Sequence, residues 1–183
     1  MSLYYSQSTQ HKAFISYYHK DDQYDRDLFE KLFGHLFVNK SVEPGDIDTD
    51  VSTEYIKRLI QLDYITDSSV VVVLVSLKTW GRKHVDWEIS AALNKKLGGY
   101  SGLMGILLPE FHLTPEGNYQ YDDIPARLAD NVKTGYAAVY KWDWVCAHES
   151  RIKEAIETAF RKRIDESSKI DNSRLQFVNS RCE

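Results

Sequence analysis

The sequence VVVVLVSLKTWGRKHVDWEISAALNKKL, residues 70–97, decides the fold of this chain. Its first six residues are apolar and mostly β-branched without polar alternation, a pattern typical of a strand that is covered on both faces. After a short turn, apolar residues recur at helical spacing, at Val85, Ile89, Ala92 and Leu93. A buried strand followed directly by an amphipathic helix predicts a parallel sheet flanked by helices.

The acidic residue Glu88 lies within this predicted helix, on the shoulder of its apolar stripe at ~100° per residue. We therefore expect its carboxylate to be half buried beside the carboxyl end of the strand, which is where ligands bind in open α/β sheets. Early placement in the helix favours the charged form and burial disfavours it, and the sequence does not decide between them. The alternative is that Asp86 and Glu88 only complement the positive end of the helix dipole.

The remaining elements alternate between strands and helices. Apolar segments predict strands at residues 13–18, 103–108 and 137–144, with a short edge strand around Val42. Amphipathic patterns predict a first helix that begins after Asp21 or Asp22 and whose apolar stripe ends at Phe37. Further helices are predicted over residues 53–62, after Pro125 and over residues 149–163. Together they predict an α/β, flavodoxin-like three-layer domain with a five-stranded, mostly parallel open sheet.

The length of 183 residues allows one domain with a proper core. We place this domain at residues 12–165, after an N-terminal extension or leader at residues 1–11. The polar residues 166–183 are expected to form a loosely held C-terminal tail. Within the domain, residues 110–135 form a long connection, of the kind that is often functional or mobile.

Composition excludes several classes of partner. A net charge of −4 without an extended basic cluster argues against nucleic acid. The absence of an apolar run approaching the ~20 residues of a membrane span, and of the apolar core of a signal peptide, predicts no membrane partner and a cytoplasmic protein. With two cysteines, Cys146 and Cys182, a disulfide framework is not expected.

Several common chemistries lack their motifs. The six histidines show no ligand spacing with each other or with the cysteines, so no metal site is predicted. The acids at 46, 48 and 50 open like a calcium loop, but Val51 and Lys57 stand where glycine and glutamate are needed. There is no serine nucleophile elbow and no Walker sequence. A phosphoreceiver is disfavoured because the central strand ends in Ser76 instead of an aspartate.

Four segments carry a resemblance to a known family. HKAFISYYHKDD, DSSVVVVLVS and HVDWEISAAL resemble the TIR domain in sequence order. The combination of VDWEI with the downstream IPARLADNVKTGYAAVYKW is similar to the bacterial TIR-like domains of Thoeris-type antiphage defence. The resemblance spans roughly residues 12–144, and this ordered spread is far more specific than any single segment.

The resemblance implies an NAD-consuming enzyme in which Glu88 is catalytic and NAD is the substrate, with no cofactor. Cleavage of the nicotinamide ribosyl bond would release an ADP-ribose-type product, linear or cyclic, that acts on a downstream effector as a diffusible nucleotide signal. Self-association through TIR-TIR contacts, to which the loop holding residues 46–50 contributes in the family, is also implied. The alternative is a catalytically silent module that binds protein or nucleotide through its loops and residues 110–135.

The same crevice is expected to hold the substrate-binding residues. We place the floor at the end of the first strand and its wall at the turn after the central strand, with His84 where many TIR enzymes have an aromatic residue. For Trp80 and Trp87, stacking on the substrate and ordinary packing are equally compatible with the sequence. The predicted set is Ser16, Tyr17, His19, Ser76, Trp80, His84 and Trp87.

Overall fold

The structure, a computed structural model, describes residues 10–41 and 65–181 of the chain. These residues form a sheet of five strands in the order β2-β1-β3-β4-β5, and each neighbouring pair is parallel. The strands are β1 His11–Ser16, β2 Phe37–Asn39, β3 Val70–Val75, β4 Gly102–Leu107 and β5 Ala138–Lys141. This order is that of the flavodoxin-like open sheet, so the predicted fold class is confirmed.

Helices cover both faces of the sheet. In the described residues they are α1 Gln23–Phe33, α2 Lys83–Ala92, α3 Ala126–Lys133, α4 Trp142–Ala147 and α5 Glu149–Asp165. The core of one face is built with α2 and α3, and the core of the other with α1, α4 and α5. The helices predicted after Pro125 and from Glu149 onward are therefore confirmed.

The central strand β3 supplies apolar residues to both cores. Each of its six residues is fully buried. Val71, Val73 and Val75 pack against α2 and α3, whereas the alternate residues of the strand pack against the helices of the opposite face. This division follows from the two-residue period of a strand, and it explains why the sequence of β3 shows no polar alternation.

The last strand is shorter than its sequence predicts. The pattern of residues 137–144 predicts one strand, but β5 ends at Lys141 and the chain continues directly as α4. Trp142 and Val145 are both buried and lie three residues apart, which is the spacing of one helical face. The prediction is wrong because a short run of alternating apolar residues fits both periods, and the packing of Trp142 near Phe29 selects the helix.

The first helix also ends earlier than its apolar stripe. Helix α1 stops at Phe33 and a single 3₁₀ turn follows, so that Phe37 begins the edge strand β2 and pairs with His11. The edge strand is short, as predicted, but it precedes the predicted position around Val42. Val42 itself, the acidic residues 46–50 and the predicted helix 53–62 lie outside the described residues.

Residues 166–181, which we call the C-terminal strap, are packed against the domain. Phe177 is only 5% exposed. Its backbone N–H donates to Asp86 Oδ2 at 2.9 Å, and its carbonyl accepts from Trp87 Nε1 at 2.8 Å. The expectation of a loosely held tail is therefore wrong for these residues, because their polar composition does not reveal one buried phenylalanine and backbone groups paired with helix α2.

A buried ion pair joins the strap to two helices. Arg127 on α3 donates through Nε to Asp86 Oδ1 on α2 at 2.9 Å, and the two side chains are 0% and 5% exposed. Arg127 Nη1 also donates to Asn172 Oδ1 in the strap at 2.7 Å. Removing one partner of such a pair leaves the other charge buried and uncompensated, which costs far more than losing an exposed pair.

Helix α5 crosses β4 where only glycine fits. A Cβ atom built on Gly102 would lie 2.0 Å from the backbone oxygen of Ala159, which cannot move aside without shifting the helix. We expect Gly102→Ala to lower the free energy of unfolding by about 3 kcal/mol or more, measured by urea unfolding. Gly98→Ala is the control, since a Cβ atom at that position would have nothing within 4 Å. Equal losses in the two variants would contradict the close approach.

The buried ion pair of Asp86 and Arg127 should contribute more to stability than the more exposed ion pair of Asp130 and Arg174. Asp86→Ala leaves the Arg127 guanidinium without its buried carboxylate and the Phe177 N–H without its acceptor, so a loss of about 3–5 kcal/mol is expected in urea unfolding. Asp130→Ala removes the more exposed ion pair with Arg174 and should cost less than about 1 kcal/mol. A loss in Asp86→Ala no larger than that in Asp130→Ala would refute the central role of the pair.

Candidate active site

The strand order places the topological switch point of the sheet between β1 and β3. The chain leaves β1 for β2 on one side of the sheet and later returns to β3 on the other side, so the two connections diverge at the carboxyl ends of these neighbouring strands. In open α/β sheets, ligands bind at this switch point. Ser16 is the last residue of β1, and Glu88 is on the second turn of α2, the helix that follows β3.

The Glu88 carboxyl group reaches across to β1. Ser16 Oγ donates a hydrogen bond to Glu88 Oε2 at 2.5 Å. The Glu88 residue is 2% exposed and Ser16 is fully buried, so the carboxyl group is covered more completely than the half burial that the sequence predicted. The structure thus brings these two predicted site residues together at the switch point.

Burial decides the protonation of Glu88. Removal of the carboxyl group from water raises its pKa to about 8, and the hydrogen bond from Ser16 lowers the pKa by a smaller amount. The position of Glu88 early in the helix favours its charged form, whereas burial favours its neutral form. In the folded protein, burial has the larger effect on the pKa. The group is therefore mostly neutral at pH 7, in contrast to an ordinary glutamate.

A second buried carboxyl group lies at the same edge of the sheet. Asp22 is 4% exposed, and burial raises its pKa, while hydrogen bonds from Ser76, the Tyr18 backbone and Thr79 lower it. The Thr79 hydroxyl, which also accepts from the Ser76 N–H at 2.9 Å, lies 3.4 Å from Asp22 Oδ2. The sequence places Asp22 directly before the first helix, and nothing local indicates that its side chain reaches the turn after β3.

Tyr17 and His19 do not join Glu88. Tyr17 packs into the core on the opposite face of the sheet, and its hydroxyl donates to Gln23 Oε1 at 2.7 Å. The exposed His19 ring stacks on Tyr17 at 4.1 Å between centroids. Of the residues predicted for the floor, Ser16 therefore lies on the Glu88 side of the sheet and Tyr17 on the other, because successive residues of an extended chain point to opposite faces.

The aromatic residues of the predicted site divide into two groups. Trp87 is 2% exposed and donates to the strap, so its ring serves packing, one of the two roles the sequence allowed. His84 is exposed and meets the edge of the Trp87 ring at 4.9 Å. Trp80 is half buried and lines two cavities, of about 310 and 150 Å³, that lie away from Glu88.

Arg82, at the start of α2, is a site residue that sequence reasoning missed. Its guanidinium carbon lies 3.6 Å from the centroid of the Tyr18 ring. Its Nε and Nη2 atoms are buried and have no hydrogen-bond partner within residues 10–41 and 65–181. Two buried donors next to Tyr18, two residues after the end of β1, are suited to an anionic group of a ligand.

The described part of the chain holds neither a metal-ligand cluster nor a membrane-spanning helix. Across these residues, no three histidine, cysteine, aspartate or glutamate side chains are grouped to hold a metal ion. Among the same residues, no helix has the length and apolar character needed to cross a bilayer.

The fold and the buried carboxyl group at its switch point define a flavodoxin-like α/β domain with a candidate small-molecule site. A family model described as the Thoeris protein ThsB, TIR-like domain, matches residues 14–111. The match covers more than half of the chain, and the chain therefore belongs to this family of TIR-like domains. The resemblance found in the sequence is confirmed.

Other comparisons add a distant structural likeness. The TIR domains in the structure of the activated Roq1 resistosome directly recognizing the pathogen effector XopQ are 14% identical to this chain, with a TM-score of 0.38. The likeness covers 88% of this chain and 95% of that chain. No curated protein matches.

The raised pKa of Glu88 predicts that its contribution to the free energy of unfolding depends on pH. Between about pH 4.5 and pH 8 the carboxyl group is ionised in the unfolded chain and neutral in the folded one, so the free energy of unfolding falls as the pH rises. Glu88→Gln keeps the shape and an acceptor for Ser16 but does not titrate. We expect its stability to exceed that of the wild type by a few kcal/mol at pH 8 and to match it more closely near pH 4.5.

The measurement is urea unfolding at several pH values, with Glu154→Gln on the exposed face of α5 as the control. The control should follow the wild-type curve. Parallel curves for the wild type and Glu88→Gln would show that Glu88 is not a buried neutral acid.

Proposed function

We propose that this TIR-like domain consumes NAD by cleaving the bond between nicotinamide and ribose. The observation that carries the proposal is the buried Glu88 carboxyl group, held by Ser16 at the switch point of the sheet. Membership of the Thoeris TIR-like family supports it. The product is an ADP-ribose-type nucleotide, linear or cyclic, that diffuses to a downstream effector in antiphage defence.

The chemistry needs one fixed negative charge. As the glycosidic bond breaks, positive charge develops on the ribose in an oxocarbenium-like transition state. A preorganised carboxylate beside the ribose hydroxyls stabilises that charge strongly when water is excluded. No metal ion is required for this step.

The resting Glu88 must lose its proton before it can act in this way. The nicotinamide ring of NAD carries a positive charge, and a cation close to the carboxyl group lowers its pKa. Ser16 assists, because its hydroxyl donates to the carboxyl group and favours the charged form. In this proposal the substrate itself switches the neutral acid to the catalytic carboxylate.

Access to Glu88 requires a conformational change. At 2% exposure, the carboxyl group cannot contact a sugar until some covering element moves. We propose that self-association of TIR-like domains supplies this opening. The buried donors of Arg82 would then bind the diphosphate of NAD, and His84, exposed on the outer side of α2, would lie at the rim of the opened site.

A silent binding module is the second candidate. The closed state of Glu88 and the packing of Trp87 beneath the strap favour it, since both groups already have partners within the domain. Such a module would use the fold to bind protein or nucleotide without turnover.

Nicotinamide release distinguishes the two candidates. The protein is incubated with NAD over a wide range of protein concentrations, so that assembly is sampled, and nicotinamide is followed by chromatography. We expect turnover in the wild type and a loss of about 10²-fold or more in Glu88→Gln, because the stabilising charge is gone. Glu154→Gln, an exposed exchange of the same type on α5, should retain wild-type turnover.

The pH dependence of turnover, in the wild type and in Ser16→Ala, tests the role of Glu88 further. Turnover should increase with pH as Glu88 ionises, and Ser16→Ala should move this increase to higher pH, since the hydrogen bond that lowers the pKa is lost. Equal turnover by Glu88→Gln would remove the assigned role. No release in any assembly state, together with a saturable partner in pull-down, would support the binding module.

Mass spectrometry of nucleotides from phage-challenged cells, wild type against Glu88→Gln, identifies the product.

A further inference from the structure

The larger of the two cavities lined by Trp80 is bounded by the C-terminal strap. It has a volume of about 310 Å³ and lies between α3, the turn after β3 and the strap. Glu88 and Ser16 do not line it. The cavity is therefore distinct from the candidate active site, and ligand binding in it is independent of NAD cleavage.

Cationic groups are in excess around this cavity. Its lining includes Lys133, Arg174 and Arg181 but only two carboxylates, those of Asp122 and Asp130. Asp130 is occupied by Arg174, which donates to both of its oxygens at 2.8 and 3.0 Å.

Two of the cations have no carboxylate partner among the residues that the structure describes. Within the described parts of the chain, neither Lys133 nor Arg181 forms an ion pair. Lys133 Nζ lies 4.9 Å from the Tyr121 ring centroid, and Arg181 Cζ lies 4.1 Å from that of Phe177. These are weak contacts compared with a charge-assisted hydrogen bond, so both cations remain able to bind an anion.

Aromatic rings complete the lining. Trp80, Tyr121 and Phe177 all border the cavity, and only Phe177 is fully buried. Exposed aromatic surface next to unpaired cations is the combination that binds a planar base carrying phosphate. A volume of about 310 Å³ is at the lower end of the range for small-molecule sites, which fits one nucleotide and is too small for a dinucleotide.

We propose that this cavity is a binding site for a nucleoside monophosphate. Lys133 and Arg181 bind the phosphate, the base stacks on the exposed aromatic rings, and the Asp122 carboxylate accepts from the ribose hydroxyls or from an amino group of the base. Because Phe177 and Arg181 belong to the strap, an occupied site also holds the strap on helix α2, where the Phe177 N–H donates to Asp86 and the Phe177 carbonyl accepts from Trp87.

Isothermal titration calorimetry of the full chain with AMP tests the proposal, with adenosine and ribose 5-phosphate as the separate halves of the ligand. Saturable AMP binding with a Kd of about 1 mM or tighter is expected. Each half should bind at least about tenfold more weakly. Lys133→Met and Arg181→Met should each weaken AMP binding about tenfold, the effect of losing one charge-assisted bond.

Two controls locate the binding. Lys31→Met removes an exposed cation on α1, and Glu88→Gln alters only the candidate active site, so both should bind AMP as the wild type does. The chain has four tryptophans, and the indole NMR signal of Trp80 should shift during the titration. These signals also report directly whether each variant is folded.

Four results would overturn the proposal. The first is the absence of saturable AMP binding by the folded wild type. The second is unchanged affinity in Lys133→Met and Arg181→Met. The third is loss of AMP binding in Glu88→Gln, which would place the nucleotide at the active site instead. Ribose 5-phosphate binding as tightly as AMP would show that the base is not recognised.

Discussion

The burial of β3 on both faces is the constraint on which the rest of the structure depends. A strand made of six apolar residues exposes hydrophobic surface on two sides, and both must be covered by other elements. Helices α2 and α3 cover one side and α1, α4 and α5 the other. Once β3 is fixed at the centre, the helix that follows it has to cross the carboxyl end of β1, and this crossing brings Glu88 to Ser16.

That crossing has an energetic cost. A carboxyl group at 2% exposure is deprived of water, and only one hydrogen bond, from Ser16, is described for it. Burial disfavours the charged form and raises the pKa to about 8, so the carboxyl group stays mostly protonated at pH 7. Natural proteins often retain such destabilising groups where function needs them. The Glu88 side chain is therefore the source of both the loss in folding stability and the proposed chemistry.

The C-terminal strap borders the proposed nucleotide-binding cavity and contacts the helix that carries the candidate active-site residue Glu88. Asp86, two residues before Glu88, binds both Arg127 on α3 and the backbone of Phe177 in the strap. Trp87 binds the same strap residue. One turn of α2 thus carries the candidate catalytic carboxyl group on its sheet side and the strap on its other side. In this arrangement, a ligand held by the strap and a substrate held by Glu88 would act on the same helix.

The sequence by itself determined the class of fold, the central strand, the helix that carries Glu88 and the family resemblance. These follow from local periodicity and from ordered motifs, which do not depend on distant contacts. It did not determine where β5 gives way to α4, since Trp142 satisfies the strand and helix patterns equally.

Only the tertiary structure decided the protonation of Glu88, the role of Trp87 and the packing of the strap. Burial depends on residues far apart in the sequence, such as Phe177 and Asp86, which are 91 positions apart, and no local pattern encodes such pairs. For the same reason Asp22 and Arg82 were missed as site residues, because their surroundings are assembled only when β1, β3 and α2 come together.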